Sequence, residues 1–205
     1  MGIASRWSPA TTSRRRVPPA PGWTVREVVT HVAEVYEQKI ACTLLQREEP
    51  SPPRWPAERD PLEWFADVHQ RLLDLFTNRG AEESSYTWWP ADQTVGFWAR
   101  RMAQETVIHR VDAELSSGQS SPVDPELAVD GVDEVLTIFL AGAAEPVREA
   151  VPVSAPRGDA DAELSGDPEP VLPWLWGRGS ASRLTRAGDA AVLTLLRDRL
   201  PLATQ

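Results

Sequence analysis

The chain has 205 residues, 41% of them hydrophobic, enough for one large or two small globular domains with a real core. A formal net charge of −9 argues against nucleic acid as a partner: phosphate binding runs on Lys and Arg, and the short Arg14–Arg16 run makes no basic stripe. No window approaches the roughly 18 consecutive apolar residues of a membrane span, no apolar segment of the signal-peptide kind follows the start, and the one cysteine, Cys42, excludes an internal disulfide framework and cysteine-rich zinc sites, so a cytoplasmic protein without membrane attachment is expected.

Residues 1 to about 22 are rich in Ser, Arg and Pro, show no sustained period, and read as a poorly ordered arm. Thr24 is placed as the N-cap of a first helix ending near Gln46, in which Val25, Val28, Val32, Val35 and Tyr36 recur at helical spacing. The proline-rich EEPSPPRWPAERDP ends it. A second helix is expected over LEWFADVHQRLLDLFTNRG, with Phe65, Val68, Leu72, Leu75 and Phe76 on one side. After the Trp-rich turn YTWWPADQT, Thr94 caps a third helix lasting to about Leu115, about 30 Å at 1.5 Å per residue. Three helices of similar length predict an antiparallel bundle, joined by a further helix from about Pro125 to Ala143. After Val147, short apolar pieces alternate with Gly, Asp and Pro and end in a helical run from about Asp189, the pattern of a small α+β unit. The expected division is an arm over 1–22, a helical domain over 23–146 and a small α+β domain over 147–205.

On the third helix, Trp98, Met102, Glu105, His109 and Asp112 fall on one stripe, so Glu105 and His109 can point at a common atom. On the first helix, His31 lies among Val28, Val32 and Val35, on the core side. Two imidazoles and a carboxylate can hold a divalent metal with one position open, and zinc suits these ligands best. The plainer alternative is a helix-surface Glu–His pair and a satisfied core histidine. His69, near an apolar face of the second helix, is a weaker candidate ligand.

Several motifs in order resemble one family. PGWTVREVVTHVAEV, FWARRMAQETVIHRVDAEL and DGVDEVLTIFLAG are similar to the DinB-like proteins of the mycothiol-dependent maleylpyruvate isomerase family, common in actinobacteria, over most of Val17 to Gly142. LPWLWGRGSASRLTRAGDAAVLTLLR looks like that family's sterol-carrier-like C-terminal domain. The resemblance implies a mainly α, DinB-like antiparallel bundle followed by a small α+β domain, with His31, Glu105 and His109 as metal ligands. It implies a divalent metal, zinc first, and mycothiol or a similar thiol as cofactors. The metal would activate the thiol for isomerisation of, or S-transfer to, a small-molecule electrophile. Asp112 matches the family pattern, either orienting His109 from behind or tying the helix to its neighbour. Glu114 matches the family pattern too, or simply pairs on the helix surface with Arg110, four residues before it. Arg178, in WLWGRG, could clamp a substrate carboxylate as a catalytic residue or simply sit at a helix C-terminus. Trp88, Trp89, Trp174 and Trp176 are read as packing before binding platform, and Cys42 as a small buried apolar residue.

Two departures from that pattern are legible. Family members usually carry a long helix before PGWTV, and here MGIASRWSPATTSRRRVPPA takes its place, so the first helix is expected to be missing or truncated. The flank left exposed is one that a second copy could cover, as a homodimer. Between Val147 and Glu163 there is too little sequence for several strands, so the α+β domain is expected to be shortened. These departures support an alternative: a decayed, non-enzymatic DinB-like module that binds metal or dimerises.

Overall fold

The computed structural model describes residues 13–51, 53–140 and 160–203. The chain divides into two compact units between Ser120 and Ser121. The boundary expected at 146–147 lies outside the described residues.

In the first unit, residues 13–22, expected as part of a poorly ordered arm, are instead hydrogen-bonded onto the start of the first helix. Val17 N donates to Trp23 O, Val25 N to Arg15 O and Arg26 N to Ser13 O, each at 2.9–3.0 Å. Val17 is buried. Low apolar content misled the sequence reading here, because backbone pairing between Arg16 and Thr24 leaves no periodic signal. Helix α1, Val25–Leu45, starts with a capping box in which Thr24 N donates to the Glu27 carboxylate at 2.8 Å. It ends where Gln46 takes a left-handed backbone, φ 53°. Helix α2, Pro61–Arg79, has proline at its first position, and the Asp60 carboxylate accepts from Leu62 N and Glu63 N. Helix α3, Val95–Leu115, is capped by Thr94, whose hydroxyl accepts from Phe97 N.

The three helices enclose a core of Val32, Ala33, Tyr36 and Ile40 from α1, Trp64, Val68 and Leu72 from α2, and Met102 from α3. Each large apolar side chain buried this way contributes about 1.5–3 kcal/mol. Three polar side chains of α3 are buried as well: Arg101, Gln104 and Asp112. Charged groups are almost never fully buried without partners, so this helix is where chemistry is to be sought.

In the second unit, α4, Pro125–Glu134, is capped by the Asp124 carboxylate and passes into a π-helical segment, Val135–Leu140. A single α-helix to Ala143 was expected. The helical path continues to Leu140 but leaves α geometry at Val135, and 141–143 lie outside the described residues. Strands β1, Ala162–Ser165, and β2, Thr185–Gly188, pair antiparallel with Ala162 opposite Gly188. Helix α5, Pro168–Leu175, lies between them in sequence, and α6, Ala190–Ala203, follows. Leu172, Trp174, Leu175 and Leu200 are buried. A mainly helical chain with a small α+β part, its described sheet reduced to two strands, is what the sequence predicts. No helix among the described residues is long and apolar enough to cross a membrane.

Candidate metal centre

The centre is assembled by α1 and α3. Helical spacing puts Glu105 and His109 one turn apart on α3, and the packing of α1 on α3 brings His31 to the same point. His31 Nε2 stands 3.4 Å from Glu105 Oε1, and His109 Nε2 stands 3.2 Å from the same oxygen. One ligand atom from each residue lies within 4.8 Å of the others. In a tetrahedral zinc site with metal–ligand bonds of about 2.0–2.1 Å, neighbouring ligand atoms are separated by roughly 3.3 Å. The two separations from Glu105 Oε1 match that edge, and the nitrogen and oxygen donors suit the ion, so the residues fit a divalent metal.

Two of the three candidate ligands have a partner behind them. His109 Nδ1 is 3.0 Å from Asp112 Oδ2, and Asp112 is completely buried. A ring nitrogen held by a carboxylate leaves Nε2 as the atom that could ligate. Arg101 Nη2 donates to Glu105 Oε2 at 2.7 Å. Trp23 closes one side, its ring 4.9 Å from that of His31 and stacked 6.3 Å from that of His109. His31 is the most accessible of the three, its side chain 36% exposed against 15% for Glu105 and 13% for His109.

These contacts set the charges. Burial works to raise the pKa of Glu105, but hydrogen bonds from His109 and His31 and the charge of Arg101 outweigh it and hold the carboxyl well below its usual range. Burial works to lower the pKa of His109, and the carboxylates of Asp112 and Glu105 override it, raising the imidazole to about 9. Without a metal, His109 therefore carries a proton at neutral pH.

The other candidate residues have partners of their own. His69, on α2, stacks on Phe65 at 5.7 Å and packs against Tyr36. Cys42 is buried. Glu114 pairs with Arg110 at 3.3 Å. Arg178 belongs to the second unit, where its guanidinium donates to the Trp176 carbonyl oxygen. Trp174 and Trp176 are buried in that unit, Trp176 edge-on to Phe139. Two members of the centre escaped the sequence reading. Arg101 was recoverable, because it stands four residues before Glu105, but Trp23 reaches the histidines through the fold-back of 13–22 and carried no spacing signal.

No curated protein and no solved structure matches the chain. The family described as mycothiol maleylpyruvate isomerase N-terminal domain matches residues 8–114, more than half of the chain. That span contains His31, Arg101, Glu105, His109 and Asp112, with helices α1 and α2 and all of α3 but Leu115. The chain therefore belongs to the mycothiol maleylpyruvate isomerase N-terminal domain family, with its DinB-like helical fold.

Proposed function

We propose that the protein is a divalent-metal-dependent, thiol-using enzyme, with His31, Glu105 and His109 as ligands and zinc as the favoured ion. A low-molecular-weight thiol, mycothiol or a relative, would be activated for isomerisation of, or S-transfer to, a small electrophile. The observation that carries this reading is the pair of 3.4 and 3.2 Å separations from two imidazole nitrogens to one carboxylate oxygen. Three side-chain ligands leave a fourth tetrahedral position, as catalytic sites require. What a bound zinc ion supplies there is a sulfur kept deprotonated, and so nucleophilic, at neutral pH.

The chain's own residues do the rest. Asp112 holds His109 in the tautomer that offers Nε2. Glu105 brings a negative charge that offsets part of the ion's. Trp23 covers the imidazole rings and narrows access to the centre. Family membership supports the thiol, whereas the choice of electrophile rests on neither fold nor family.

The test is metal content by elemental mass spectrometry on purified protein, beside a His109→Ala variant, with thiol binding titrated on the same samples. The expected result is about one divalent ion per chain, lost in the variant, and thiol binding that requires the ion. Folded wild-type protein that is metal-free and resists reconstitution would overturn the reading. Stoichiometric metal without thiol binding would instead favour a metal-binding module that is not an enzyme.

A further inference from the structure

We propose that Arg101 is a positioning residue that makes Glu105 a one-oxygen ligand and so keeps a coordination position of the centre open for an incoming thiol or water. The inference rests on the metal reading above.

A carboxylate beside a divalent ion has two oxygens, and its own chemistry does not stop both from binding. Zinc accepts a fifth ligand, so a chelating glutamate would occupy space that an exogenous ligand needs. In this centre the two oxygens have separate partners. Oε1 faces both imidazoles, at 3.4 and 3.2 Å, while Oε2 accepts from Arg101 Nη2 at 2.7 Å. For Oε2 to turn toward the ion, that charge-assisted hydrogen bond must break. Burial makes this costly: the Arg101 side chain is 6% exposed and that of Glu105 15%, and separating a pair so far from water leaves an uncompensated charge.

Local geometry explains why arginine serves here. Arg101 sits one helical turn before Glu105 on α3, so its guanidinium reaches the carboxylate from the side away from His109, which is one turn after. Lys39, a second cation that feels the charge of Glu105, has other contacts. Its ammonium lies 4.7 Å from the Trp98 ring centre and donates to Gln38 Oε1 at 2.7 Å. A guanidinium on Oε2 also draws electron density from the carboxylate, which leaves a bound ion more acidic toward its remaining ligand.

A purely structural ion pair would affect folding without changing coordination number, so coordination is what must be read. Cobalt(II) is the probe, because four-coordinate cobalt absorbs intensely in the visible and five- or six-coordinate cobalt weakly. Full-length wild type, Arg101→Met, Arg101→Gln and Arg101→Lys would be loaded with cobalt and titrated with 2-mercaptoethanol. Wild type is expected to show the intense spectrum. The Met and Gln variants should lose most of that intensity and need more thiol for the same spectral change. Lysine, which keeps the charge, should rescue part of both effects. The Gln variant keeps a polar group in the buried position and carries the test if the Met variant does not fold.

A folded Met or Gln variant with the wild-type spectrum and the wild-type thiol titration would overturn the role of Arg101 and leave the metal reading standing. A weak spectrum in cobalt-loaded wild type would overturn it as well. Wild type that takes up no cobalt at all would remove the metal reading itself, and this inference with it.

Discussion

His109 shows how one side chain can be prepared for two states. In the metal-free protein its pKa of about 9 comes from Asp112 and Glu105, which prevail over burial. A histidine raised in the folded state stabilises fully below its unfolded pKa of about 6.5, and that contribution is lost as pH rises through about 9. Metal binding needs the neutral ring, so uptake near pH 7 should expel about one proton, and affinity should rise about tenfold per pH unit until pH 9. Calorimetry of zinc binding in two buffers of different ionisation enthalpy reads the proton directly; no proton release would contradict this account. Asp112→Asn separates the two duties of that carboxylate. The variant loses the orienting charge, which costs about 10–100-fold in metal affinity, but it also weakens the proton's hold on His109. The gap between wild type and variant should therefore be small near pH 7 and widen toward pH 9. A gap independent of pH would mean that Asp112 does not set the His109 pKa.

Among the elements, α1 and α3 each carry part of the centre, and the caps decide where they begin. At the start of α1 the Glu27 carboxylate accepts from both the backbone N–H and the hydroxyl of Thr24. Thr24→Ala should cost about 1 kcal/mol, read from denaturant midpoints, while zinc affinity changes less than about twofold, because His31 sits well inside a helix anchored by the buried Val28 and Val32. A large affinity loss would show that the helix start and the centre are coupled. The caps at Thr24 and Thr94 were legible in the sequence because capping is local chemistry, and so was the shared face of Glu105 and His109. The meeting of His31 with that pair was different: it depends on how α1 and α3 pack, which spacing within one helix cannot specify, so the core-facing position of His31 only allowed it and the family resemblance strengthened it. The burial of Arg101 and the approach of Trp23 were hidden for the same reason. The π-helical segment at Val135 escaped because the apolar run VLTIFL fits an α-helix equally well.

At the scale of the whole chain, the candidate ligands lie far apart in sequence, His31 preceding Glu105 by 74 residues, so an unfolded chain cannot offer them together. Binding energy at such a centre is folding energy. Free zinc at about 100 times its Kd should stabilise the folded protein by about 2.7 kcal/mol and raise the melting temperature by roughly 5–10 °C for a chain of this size. The shift should belong to the unit that ends at Ser120 and vanish in His109→Ala. A net charge of −9 offers a competing explanation, since any divalent cation relieves self-repulsion at an acidic surface. Magnesium separates the two, because it prefers oxygen ligands and octahedral geometry and gains little from two imidazoles. At equal concentration it should leave the melting temperature nearly unchanged. Equal shifts with magnesium and zinc, or a zinc shift that survives in His109→Ala, would assign the effect to the acidic surface and not to the centre.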